Sequence, residues 1–147
     1  MPFKLSISII IIFLSLHCFG QQGNLLIHID GIRNTKGNIL MSIYNQKEKF
    51  MGDPKTKAFY NAVGKIENRE ATFVIKNVPF GQYAITLLHD ENKNDKMDKN
   101  LLGIPKEGYG FSNNVTLKFG PPSYEESTFD LNKKEQKIQI TMKYFSF

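Results

Sequence analysis

The chain of 147 residues has one cysteine, no tryptophan and three histidines. Cys18 lies within an N-terminal apolar run, so a fold built from the residues after it has no disulfide and rests on an ordinary hydrophobic core, with a metal ion as the one other staple. His28 and His89 are the only histidines past that run and lack the partners that a transition-metal or acid/base site needs. GxSxG, HExxH and glycine-rich phosphate loops are absent. No block of five like charges occurs. Lys47, Lys49, Lys55, Lys57, Lys93, Lys96, Lys133 and Lys134 are spread out, which argues for a mildly basic solvated surface and against nucleic-acid binding. No unit of about 30 residues recurs, so a solenoid is excluded.

What is present begins with Lys4 and an apolar run at 5–19, broken by Ser6, Ser8, Ser15 and His17. The run is too short for a comfortable membrane span. It predicts a signal peptide at 1–20 with cleavage after Gly20, a mature chain starting at Gln21, and an exported protein of the periplasm or cell surface with no transmembrane segment. Cys18 leaves with the leader. In the alternative, a lipoprotein, Cys18 is the first mature residue, but Leu16 and His17 stand where small residues are usual. Residues 21–147 are then one domain, with 18 basic against 14 acidic residues once Lys4 is removed.

Short alternating runs fill that domain. Residues 25–29 and 38–45 (NILMSIYN) read as two strands joined through a Gly- and Asn-bearing turn, a hairpin. Residues 46–54 are a loop with a short helical turn, and 56–66 an irregular or edge strand. Residues 69–89 predict a second hairpin, turning at Pro79-Phe80-Gly81. Further strands are expected at 115–119, 127–131 and 137–144. Phe73, Ile75, Tyr83, Ile85, Leu87, Ile138 and Ile140 hold the same-face positions and are the predicted core. With no sustained helical period, the class is all-β: an antiparallel β-sandwich of about seven strands.

The densest chemistry is in 89–114, HDENKNDKMDKNLLGIPKEGYGFSNN. Asp90, Asn92, Asn94 and Asp98 occupy positions 1, 3, 5 and 9 of a calcium-loop template, with the Lys96 carbonyl at position 7, a spacing that lets oxygen ligands converge on one hard cation. Position 12 is Leu101 where a helical calcium hand uses a bidentate Glu, so a missing ligand has to come from elsewhere, Glu107 or a carbonyl among the choices. With two carboxylates among four side chains, and Lys93, Lys96 and Lys99 nearby, the expected dissociation constant is on the order of 0.1 to 1 mM. The alternatives are another hard cation or an Asx-rich turn that bonds its own backbone without any ion.

The stretches GIRNTKGNILMSIYN, NVPFGQYAITLLHDENKNDKMDKNLLGIPKEGYGFSNN and FGPPSYEESTF resemble the bacterial domain-of-unknown-function family 2141, in similar order and spacing over nearly all of the mature chain. The resemblance implies a small exported β-sandwich, immunoglobulin-like or prealbumin-like, with no established activity. One departure stands out: members usually carry Gly at the sixth loop position, where this chain has Asp95. Tyr109, Phe111, Phe119, Tyr124 and Phe129 serve a core or a platform for sugars or peptides, with Tyr109 and Tyr124 the best placed to be exposed. The reading is a non-enzymatic exported module, calcium-stabilised, acting as a structural envelope domain or binding a protein or glycan through 103–114. Its alternative is a carboxylate-dependent envelope hydrolase using Glu107 with Glu125 or Glu126.

Overall fold

Leu25, Ile27 and Ile29 alternate into the interior along β1 (Gln22–Asp30), each with no exposed surface, because successive side chains on an extended strand point to opposite faces. The computed structural model describes residues 20–117 and 120–145. The leader at 1–19 and the end of the expected strand 115–119 lie outside them, and residues 115–117 are not in a strand. β1 is the centre of a three-stranded sheet, antiparallel to β4 (Ala71–Pro79) and parallel to β8 (Glu135–Thr141). Facing it is a five-stranded sheet in the order β3 (Tyr60–Gly64), β2 (Asn38–Tyr44), β5 (Gly81–Asp90), β6 (Gly108–Phe111), with β7 (Thr128–Leu131) also paired to β5. Two helical turns, α1 (Pro54–Lys57) and α2 (Tyr124–Ser127), flank the larger sheet. Among the described residues no helix is long and apolar enough to cross a membrane.

The inner faces of the two sheets meet in one apolar cluster that contains the predicted Phe73, Ile75, Tyr83, Ile85, Leu87 and Ile140. Ile138 packs against it half-buried, since β8 is an edge strand. The class is the expected all-β sandwich, with eight strands in place of about seven. It is not wholly antiparallel: β8 returns alongside β1 in the same direction.

Both predicted hairpins are corrected. β1 and β2 lie in different sheets, and the connection between them passes from one layer to the other with Ile32 fully buried along it. β4 and β5 likewise lie in different sheets; the bend at Phe80, whose N–H donates to the Gln21 carbonyl at 2.8 Å, is a corner between layers. Turn residues mark a reversal of direction, and a hairpin and a sheet-to-sheet corner need the same ones. Burial separates the two. Phe73 and Ile75 face Tyr83, Ile85 and Leu87 across the core, which two long strands paired side by side would not do.

One edge of β5 is shared. β7 pairs with Gly81 to Ala84 and β6 with Thr86 to His89, which leaves the Ile85 N–H between them without a strand partner. Ser112 Oγ accepts it at 2.9 Å and donates to the Ser127 carbonyl. Asn113 and Asn114 follow in the left-handed region, at φ 60 and 54. Asn113 Nδ2 donates to the carbonyls of Glu126 and Thr128, and Asn114 Oδ1 accepts the Thr141 N–H on β8. The Ser-Asn-Asn run, expected in a partner-binding loop, is spent on splicing β6 to β7 and β8.

Candidate functional site

β5 ends by turning its last two side chains to opposite sides, His89 inward with no exposed surface and Asp90 toward the loop, 1% exposed. Asp90 Oδ1 accepts the Asn94 N–H at 3.0 Å and Oδ2 the Asp95 N–H at 2.8 Å, so the first loop residue folds the chain around its own carboxylate. Asn92 Oδ1 accepts Asn94 N–H at 3.1 Å and Asn94 Oδ1 accepts Lys96 N–H at 2.9 Å. Lys93 and Asp95 are both left-handed, φ 61, so the sixth position does need the conformation that Gly adopts at least cost. Asn92 Nδ2 and Asn94 Nδ2 donate to the two oxygens of Asp98 at 2.6 and 3.0 Å. Asn92, Asn94 and Asp98 are thus joined side chain to side chain, while Asp90 holds the loop through the backbone N–H groups of Asn94 and Asp95. The Lys96 carbonyl takes no hydrogen bond among the described residues.

The loop is clamped from below. Glu107, 4% exposed, accepts the Glu91 N–H on one oxygen at 2.9 Å and the Asp98 N–H on the other at 3.0 Å, tying the two ends together. It holds backbone and is not a spare ligand. Arg33 pairs with Glu91, donates to the Lys106 carbonyl at 3.0 Å and lies 4.7 Å from the centre of the Tyr144 ring. Beneath, His89 Nε2 faces the Lys36 carbonyl at 2.8 Å and Nδ1 faces the Tyr144 hydroxyl at 2.7 Å. A carbonyl only accepts, so Nε2 carries a proton, and the tautomer with Nδ1 bare receives the Tyr144 O–H there. Burial pushes the Tyr144 hydroxyl above the ordinary tyrosine range, which keeps that donor in place. None of these long-range partners has a local sequence signal.

Other expected residues are elsewhere. Leu101, at position 12, is fully solvent-exposed at a turn and ligates nothing. Tyr109, expected in a loop and exposed, is 5% exposed on β6, covered by Phe145 at 5.5 Å between ring centres; Tyr124 is half-buried. Phe111 is buried and Phe129 packs on the core, while Phe119 lies outside the described residues. Glu125 pairs with Lys47, which holds its carboxyl below the usual range, and Glu126 closes a capping box on Ser123. Glu107 is buried on two backbone amides, whereas Glu125 borders an open surface cavity with Lys47 and Tyr124 whose lining does not include Glu107.

Chemically the loop gathers the kinds of oxygen that hard cations take. Two carboxylates, two carboxamides and a carbonyl make five oxygen groups where calcium takes six to eight, and the four side-chain groups already accept hydrogen bonds within the loop. Among the described residues no three His, Cys, Asp or Glu side chains cluster as a tight metal centre requires. Asp90 carries the sharper signal. A carboxylate with 1% exposure has two N–H donors and no ion pair with any described Lys, Arg or His, and buried charge normally finds a counter-charge.

Fold and loop together define a small two-sheet β-sandwich whose one end is organised by an Asp/Asn loop on a buried carboxylate clamp. The chain belongs to domain-of-unknown-function family 2141, described as an uncharacterized protein conserved in bacteria, whose model matches residues 27–139. Neither a curated protein nor a solved structure matches it.

Proposed function

We propose that this is an exported, non-enzymatic β-sandwich module of the periplasm or cell surface, stabilised by calcium at Asp90, Asn92, Asn94, the Lys96 carbonyl and Asp98, and acting as a structural or binding domain of the envelope. The observation that carries the reading is the buried Asp90 carboxylate without a side-chain cation among the described residues, at the start of a loop in which two carboxamides converge on Asp98. A divalent ion there supplies the missing positive charge. It competes with the amide donors of Asn92 and Asn94 for Asp98, which keeps the affinity low.

The test is thermal melting of the wild type and Asp98→Ala in chelator and in about 10 mM calcium, a level that saturates a millimolar site. The wild type should melt higher with calcium and Asp98→Ala should not. An equal melting temperature for the wild type in both buffers makes the loop an ordinary Asx turn.

A further inference from the structure

Beyond the cation loop the chain runs out and back as a narrow finger at 98–106. Lys106 N–H donates to the Asp98 carbonyl at 2.8 Å and Asn100 N–H to the Ile104 carbonyl at 2.9 Å. Gly103 N–H closes on the Asn100 carbonyl at 2.9 Å, and Asn100 Oδ1 accepts the Leu102 and Ile104 N–H groups at 2.9 and 3.0 Å. Gly103 sits at φ +79 with open space where a Cβ would be. The turn is thus held by its own backbone and by one asparagine, and its apex carries Leu101 and Leu102 at 106% and 83% exposure. Two adjacent leucines on a self-bonded projecting turn leave apolar area in water that a contact would remove.

The charges around the finger are sorted by sign. Lys99 and Lys106 stand on its two legs, Lys93 and Lys96 on the adjoining loop, all exposed, and among the described residues none is in an ion pair. The carboxylates of this end are engaged inward or sideways: Glu91 by Arg33, Glu107 by two backbone amides, Asp98 by two carboxamides, with Asp95 3.9 Å from Lys55. An apolar tip ringed by free ammonium groups complements one kind of surface: an apolar layer beneath a sheet of phosphates. A convex tip needs a matching cavity in a protein partner, whereas a bilayer accepts it anywhere, and lysine stems can lie along an inserted tip with their charges at the phosphates.

We infer that the Leu101-Leu102 tip seats this domain on an anionic lipid surface. The inference goes beyond the reading of an envelope domain and does not rest on calcium, so the melting test and the one below fail separately. The chain has no tryptophan, which makes Leu102→Trp a unique reporter. Its emission should shift to the blue on adding vesicles of mixed phosphatidylcholine and phosphatidylglycerol, and brominated lipid should quench it. In vesicle co-sedimentation, Leu101→Ser with Leu102→Ser should weaken binding about tenfold or more. Lys99→Gln and Lys106→Gln should weaken it about fivefold each. Val74→Ser, which removes an exposed apolar residue of the other sheet, should change nothing, and all variants should melt with the wild type. Emission unmoved by vesicles, or double-serine binding equal to the wild type, overturns the inference. So does a concentration-dependent dimer that the double-serine variant abolishes while vesicles stay unbound, which would assign the tip to a second copy.

Discussion

Tyr144 illustrates how much of this end depends on single atoms. Its hydroxyl donates to the buried His89 and accepts the Arg33 N–H at 3.2 Å, and its ring lies against the Arg33 guanidinium. Tyr144→Phe keeps the ring and leaves His89 Nδ1 buried without a donor, at a cost of about 1 to 3 kcal/mol, measurable by urea unfolding at neutral pH. The pH dependence follows from the raised Tyr144 pKa, caused first by burial. A raised folded value means that its contribution is complete below the unfolded pKa of about 10 and is lost as pH rises through the folded value. The gap between wild type and Tyr144→Phe should therefore narrow above about pH 10. Asp95 is a second such residue. At φ 61 it holds a conformation that suits Gly better, so Asp95→Gly should raise the melting temperature in chelator by the equivalent of about 0.5 to 1 kcal/mol. The exposed pair it gives up with Lys55, at 3.9 Å, is worth little. A lower melting temperature would show that the left-handed backbone is not what limits the loop.

At the scale of elements, β6 explains the Gly-Tyr-Gly-Phe pattern. Tyr109 and Phe111 lie on the outer face, and the inward positions are glycines that let the C-terminal segment close in. A Cβ on Gly108 would stand 2.4 Å from the Tyr144 ring. Gly108→Ala should then cost about 1 to 3 kcal/mol through overpacking, seen as a lower denaturation midpoint at unchanged m-value. Alternation made β4 and β5 legible as strands with the right inward residues. It could not say whether they were neighbours, because Pro79 and Gly81 serve a corner as well as a hairpin. Much of the loop's backbone was legible too: Asp90, Asn92 and Asn94 each accept a nearby backbone N–H, because Asx turns are local. The roles of Glu107 and Arg33 were not, since Arg33 finds Glu91 across 58 positions.

For the whole molecule, the proposed cation at the loop would couple ligand and stability. If the ion binds only the folded state, stability rises by RT ln(1 + [L]/Kd), about 1.4 kcal/mol at ten times the dissociation constant. In a domain of this size that is a rise of a few degrees in melting temperature, absent in Asp98→Ala, and scanning calorimetry over a calcium series should follow the logarithm. A rise unrelated to concentration would point to a general salt effect. The sequence alone determined what depends on neighbours a few residues apart: which runs are extended, which side chains turn inward, the all-β class, and the Asx loop with its left-handed sixth position. Tertiary structure alone decided the pairing of strands, the parallel return of β8 beside β1, the burial of Tyr109, and the clamp of Glu107, Arg33, His89 and Tyr144 beneath the loop. Those contacts join residues tens of positions apart through the shared burial of two sheets, and only closing the core sets which distant groups meet.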